Sequence, residues 1–188
     1  MAVMVPRACL AVALATASVL AATAPRLEDL AGARVDPFVD EPGVNVFVFT
    51  QVDCPIANRY APEIRRIAES FAARGVRFWL VYPDPDAPAA AIRRQLEEYR
   101  LPYPALRDPR HELVRRVGAR VTPEVAVFDR RGKLAYRGRI DDRYAAIGQE
   151  RKAATSNDLE MAIEAVLAGR RVPKPRTRAV GCFIADMK

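Results

Sequence analysis

The chain has 188 residues, 51% hydrophobic and 28% charged, with a formal net charge of +7. That length suits one well-packed α/β domain and is short for two ordinary ones, and the composition excludes a disordered or low-complexity chain. The excess positive charge lies behind the last expected helix, where Arg170, Arg171, Lys174, Arg176, Arg178 and Lys188 stand against Asp186 alone. Such a run ordinarily reads as a solvated extension. A nucleic-acid surface would interleave the cations with stacking aromatics, and only Phe183 is at hand, so nucleic acid is not an expected partner.

At the start of the chain Arg7 precedes an uncharged run over residues 8–24, with small residues where a signal peptidase would cut. Residues 1–24 therefore read as a secretory leader cleaved at about residues 21–24; Val19, Leu20 and Ala21 suit a cut after Ala21, whereas Pro25 disfavours one after Ala24. The run is shorter than the roughly 20 residues of a spanning helix, which makes a retained anchor the weaker alternative. Export would be to the periplasm or beyond the cell, with no stable membrane insertion after cleavage. It would remove Cys9 and leave Cys54 and Cys182 where a disulfide can persist.

Residues 27–43 are turn-rich, punctuated by Gly32, Pro37, Pro42 and Gly43, and predict a strand or two at the domain edge. The apolar run at residues 44–50 predicts a buried strand, and a polar turn then leads to Cys54 at the start of a helix. Tyr60, Ile64, Ile67, Ala68 and Phe71 recur at helical spacing. The helix should kink at Pro62, which has no backbone N–H to donate, and end at Gly75. Residues 76–82 predict a second strand, with Trp79 in the core, and residues 89–99 an amphipathic helix through Ile92, Leu96 and Tyr99. Alternating strands and helices imply a parallel core. Asp108 and Pro109 suggest a cap and first turn of a short helix ending at Gly118. Residues 125–128 and 134–136, joined by a turn at residues 130–132, predict an antiparallel hairpin. Residues 141–155 carry no readable pattern. Ser156 or Asn157 should cap a last helix, with its stripe through Leu159, Ala162, Ile163, Val166 and Leu167 and its end at Gly169.

Cys54 has two readings. A free cysteine is often an inert buried hydrophobe, but backbone N–H groups and the dipole at a helix N-terminus favour a thiolate. The second fits the position better, with Asp53 opposing the charge if its carboxylate points the same way. Asp141 and Asp142 read as an acidic surface turn more readily than as a cation site, and His111 as a solvated residue in a first helical turn.

The stretch DCPIANRYAPEI, the later VTPEVAVFD and GRIDDRY, and the GC near the C-terminus together resemble exported bacterial thioredoxin-like proteins of the redoxin group, over residues 27–184. The resemblance implies an α/β thioredoxin-like fold, a mixed central sheet flanked by helices, occupying residues 25–169, with a basic tail over residues 170–188 that carries Cys182. Cys54 falls on the first cysteine of the family's CxxC motif and Ala57 on the second. A dithiol enzyme needs that second sulfur to resolve its mixed disulfide. Pro123 falls on the family's cis-proline, which with Thr122 before it would lie against the active-site sulfur and bind a substrate chain. Gln51 stands where a peroxiredoxin carries a hydroxyl, which argues against direct peroxide reduction. Copper-delivering relatives place a second cysteine where this chain has Asn58.

Cys182 supplies the missing sulfur if the tail docks. Gly181 permits close backbone approach, and Val180, Phe183 and Ile184 offer apolar surface. A Cys54–Cys182 disulfide would serve either as the redox couple or as a staple stabilising by about 5 kcal/mol in the chain-entropy model. The expected activity is thiol–disulfide exchange on protein thiols or disulfides, without an organic cofactor. Two alternatives stay open: a soft-metal or copper module using Cys54, Cys182 and His111, and a non-catalytic binding domain with a structural disulfide.

Overall fold

The computed structural model describes residues 25–39 and 43–184, so the expected leader at residues 1–24 lies outside the described residues. Two short strands, Leu27–Glu28 (β1) and Arg34–Val35 (β2), pair antiparallel. Val44–Phe49 (β3), β-branched or aromatic at all but one position, is buried along its whole length. Helix Pro55–Ala72 (α1) follows, then strand Val76–Tyr82 (β4) and helix Ala89–Glu98 (α2). Ala105–Arg107 (β5), helix Glu112–Val117 (α3), the short strand Val121–Thr122 (β6) and the hairpin of Glu124–Phe128 (β7) and Leu134–Gly138 (β8) come next. A small hairpin, Tyr144–Ala146 (β9) with Gln149–Glu150 (β10), precedes helix Asp158–Leu167 (α4), and Cys182–Phe183 (β11) is the last strand among the described residues.

One seven-stranded sheet, ordered β2-β1-β5-β4-β3-β7-β8, organises these elements. Strands β3, β4 and β5 run parallel and β7 lies antiparallel to β3, giving the mixed sheet of a thioredoxin-like fold. The alternation of side chains along β3 builds two cores. Val44, Val46 and Val48 face a cluster with Ile64, Ile67 and Phe71 of α1 and Leu159 and Ile163 of α4. Phe47 and Phe49 face the other way, onto Leu113, Val114 and Val117 of α3 and Phe128. Burying a large aliphatic or aromatic side chain contributes about 1.5–3 kcal/mol, so this two-sided sheet dominates the stability.

Several local expectations are corrected. Strand β5 is too short to carry a periodic signal, and its residues pair with β4. Helix α1 holds Pro62 in its interior and ends at Ala72, short of the expected Gly75. Trp79 is half-buried; its indole N–H donates to Asn45 Oδ1 at 2.9 Å. Asp108 does not start α3. Its carboxylate reaches forward to accept from Glu112 N–H at 2.7 Å and Val114 N–H at 2.9 Å. Asn157 precedes α4 without a side-chain capping bond.

The largest departure is the tail. Beyond Gly169 the basic segment does not extend into solvent; Val172 is buried, and the strap runs along the edge of β8. Arg137 N–H donates to Pro175 O at 3.0 Å, and Thr177 N–H donates back to Arg137 O at 3.1 Å. Gly138 makes room for this crossing, since a Cβ there would lie 2.1 Å from Thr177 Oγ1 and 2.6 Å from its carbonyl oxygen. Strand β11 then pairs antiparallel with β6, Cys182 opposite Thr122 and Phe183 opposite Val121.

Candidate active site

The turn after β3 delivers Cys54 to the N-cap of α1, with Pro55 opening the helix. Pro suits that place because an N–H there would have no helical acceptor. The Cys54 sulfur accepts from Ala57 N–H at 3.5 Å and, as a thiol, donates to Thr122 O at 2.9 Å. Its residue is only 1% exposed. The Thr122–Pro123 peptide bond is cis, which sets Thr122 beside the sulfur.

The antiparallel pairing of β11 with β6 brings the second cysteine to the same point. Burial opposes ionisation of Cys54, but the Cys182 thiol, the Ala57 N–H, the Thr122 side chain and the Cys182 N–H together hold its pKa below the ordinary thiol value. The Thr122 carbonyl favours the neutral thiol, so it tempers that stabilisation without reversing it. For Cys182 burial and the adjacent Cys54 sulfur act in one direction and push the pKa up to about 12. The two sulfurs titrate as a pair: the first proton leaves Cys54, and Cys182 keeps its own. The Asp53 side chain is exposed and is not among the groups that perturb the thiol.

Side chains that the sequence did not single out hold the turn in place. Gln95, on the buried face of α2, donates to Gln51 O at 3.0 Å and Asn58 Oδ1 at 2.6 Å, and accepts from Tyr82 OH at 2.8 Å. Asn58 donates to Val52 O at 3.0 Å, and Thr122 Oγ1 donates to Gln51 Oε1 at 2.8 Å. The one available clue was a glutamine falling between Ile92 and Tyr99 on an otherwise apolar stripe. Glu124, buried next to the cis bond, accepts from Arg120 N–H at 2.8 Å and meets Arg137 Nε at 3.3 Å.

Asp141 and Asp142 are not a surface turn; they are 3% and 6% exposed. Asp141 accepts from the Tyr60 hydroxyl and from Arg143 N–H. Asp142 accepts from Thr155 Oγ1 at 2.5 Å and N–H at 2.6 Å, and from Ser156 N–H at 3.0 Å. The Thr155 hydroxyl leads these donors in lowering its pKa to about 2, against an opposing effect of burial. The pair fixes the 141–155 segment and so the β9–β10 hairpin, which Glu150 ties to α1 through Arg59 at 3.2 Å. His111 also departs from expectation. It is 5% exposed with a left-handed backbone, and its Nε2 lies 2.8 Å from Pro83 O. Among the described residues no group of three or more His, Cys, Asp or Glu side chains could hold a metal ion.

A cleft of about 320 Å³ lies between the start of α1 and the β9–β10 hairpin. Pro55, Ile56, Tyr144 and Ile147 give it apolar walls, and Cys182 lies in its lining while Cys54 does not.

The Redoxin family profile matches residues 36–155, which span the Cys54 turn, the cis bond and the β9–β10 hairpin. The chain belongs to the Redoxin family. Among solved structures, this redoxin is similar to an uncharacterized conserved protein from Geobacillus kaustophilus at 27% identity and a TM-score of 0.75, covering 87% of this chain and 88% of that one. A hypothetical protein from Sinorhizobium meliloti matches at 25% identity and a TM-score of 0.72, covering 84% and 88%. A secreted Mycobacterium tuberculosis disulfide oxidoreductase shares the fold at 20% identity and a TM-score of 0.53, covering 76% and 92%. None of the curated protein sequences matches significantly. No helix among the described residues is long and apolar enough to cross a membrane.

Proposed function

We propose that this redoxin is an exported thiol–disulfide oxidoreductase that acts on protein thiols or disulfides, with Cys54 and Cys182 as its redox pair. The observation that carries the reading is the register of β11 on β6, which sets Cys182 opposite Thr122 while the Cys54 thiol contacts the Thr122 carbonyl. A sulfur absent from the CxxC position at Ala57 is thereby replaced by one from the C-terminal strap. The pair passes between dithiol and disulfide, and two electrons move to or from a substrate thiol pair. No organic cofactor is needed for that exchange. The lowered Cys54 pKa suits it to leave as a thiolate when the internal disulfide opens.

Gln51 engages Thr122 and offers no hydroxyl to orient a peroxide, which supports protein disulfides over peroxide as substrate. The export reading rests on the leader pattern of residues 1–24. Within the mature chain, we assign residues 25–169 to the thioredoxin-like unit and residues 170–188 to the basic tail, whose described part, residues 170–184, is the strap.

An insulin disulfide-reduction assay, paired with oxidation of a reduced model protein, tests the activity. Turnover in either direction that vanishes in both Cys54→Ser and Cys182→Ser is expected. No turnover in either direction, with a Cys54–Cys182 bond that resists ordinary reductants, would make the bond a structural staple and overturn the reading.

A further inference from the structure

Resting on the redox-pair reading, we propose that Cys182, and not Cys54, is the sulfur at which a substrate thiol joins the enzyme, and that the apolar cleft beside it selects thiols flanked by an apolar side chain. In a CxxC arrangement the cysteine at the helix N-terminus meets the substrate, and the sequence assigns Cys54 to that place. The geometry reverses the order. Cys54 is 1% exposed, whereas Cys182 is half-buried and lines the cleft.

The cover over Cys54 is tightly fitted. Gly181 lies so close to the β6 backbone that a Cβ on it would be 2.0 Å from Thr122 O and 2.6 Å from the carbonyl carbon. Ile184 N–H donates to Arg120 O at 3.0 Å, and the Ile184 side chain is buried. The backbone of Thr122, expected to pair with a substrate chain, is instead paired with the protein's own strand. An opening beside Cys182, between Pro55 and Ile56 on one wall and Tyr144 and Ile147 on the other, admits the substrate. Ile147 at the hairpin tip lines the cleft and is 70% exposed, so apolar surface flanks the approach to the sulfur.

The chemistry balances with the roles in this order. A substrate thiolate attacks the Cys182 sulfur of the Cys54–Cys182 disulfide. A substrate–Cys182 bond forms, the internal S–S bond breaks, and Cys54 leaves as a thiolate held at the helix N-terminus by Ala57 N–H. A second substrate thiol, losing its proton, then attacks the substrate sulfur of the mixed disulfide. The substrate departs as a disulfide, and Cys182, expelled as a thiolate, takes up the proton given up by the second substrate thiol, while Cys54 stays ionised. Two electrons pass from substrate to protein, and a disulfide oxidant of small-molecule or protein class restores the pair by the reverse steps at the same sulfur.

The test uses the oxidised mature chain with both cysteines. It is mixed with glutathione or with a short peptide carrying Phe beside its cysteine, quenched in acid, alkylated and mapped by mass spectrometry. The mixed disulfide should sit on Cys182 in excess over Cys54 on the order of tenfold, because which sulfur is attacked follows access and leaving-group pKa. The Phe-flanked peptide should react several-fold faster than glutathione, and Ile147→Asp should remove that advantage. Adducts mainly on Cys54 would overturn the assignment while leaving the redox pair intact. Equal rates for the two thiols would overturn the apolar selectivity. Failure of the oxidised chain to hold a Cys54–Cys182 bond at all would remove both the assignment and the redox-pair reading.

Discussion

Replacing Gly181 by Val should lift the strap off the β6 backbone. The added Cβ, whose position the backbone fixes, would meet the backbone Thr122 O at 2.0 Å, so no rotamer change can relieve it. The strap loses the Ile184 to Arg120 hydrogen bond, about 1 kcal/mol, and the burial of Ile184, about 2 kcal/mol. Together these favour the undocked strap by about 3 kcal/mol, or about two powers of ten in the open population. Iodoacetamide alkylation of reduced Cys54, followed by peptide mapping at a pH above the ordinary thiol range of about 8.5, reads that population free of differences in ionisation. The Cys54 rate should rise about a hundredfold over the native chain if docking energy alone sets the opening. A Cys54 rate that stays at the native value would refute the view that the strap covers this sulfur.

Cys182→Ala removes the thiol that contributes most to stabilising the Cys54 thiolate, so burial gains weight and the Cys54 pKa should rise; thiolate absorbance against pH would show it, and an unchanged or lower midpoint would contradict it. Gln95→Leu strips partners from Tyr82, Gln51 and Asn58 and should cost about 1–3 kcal/mol in urea unfolding, with faster local exchange at the Cys54 turn. Asp142 has a folded pKa of about 2 against an ordinary 3.8. A depressed carboxylate stabilises above its unfolded value, so its contribution is full above about pH 4 and lost as pH falls toward about 2. Asp142→Asn should therefore flatten the acid limb of the stability–pH curve in that window, and an unchanged limb would count against the assignment.

The fold was legible where packing follows a simple period. The two-sided burial of β3, the helical stripe of α1 and the β7–β8 hairpin each show in the pattern of apolar residues, and the strand–helix alternation implied the parallel core. Features that depend on one polar atom meeting another far along the chain were not legible. Asp141 reads as a surface residue until the Tyr60 hydroxyl is seen beside it, and Asp142 until the Thr155 hydroxyl is. His111 reads as solvated until Pro83 O is placed against it. The strap is a mixed case. Gly181 and the apolar residues around Cys182 signalled that the end of the tail could dock. The basic run before it looked like solvated chain because its charged side chains are exposed, while backbone groups, the Thr177 hydroxyl and buried Val172 attach it.

The site divides the same way. Cys54 at a helix start could be read from position, and Pro123 was placed at the site by the family resemblance. Which sulfur faces outward could not be read, because it depends on the few ångströms between Gly181 and Thr122.

Peptide mapping of the purified protein, alkylated without reductant and again after reduction, tests the central claim most directly. The account predicts a single internal Cys54–Cys182 disulfide under oxidising conditions, released by dithiol reductant and re-formed on its removal. Two cysteines that remain separately alkylated under oxidising conditions would contradict it.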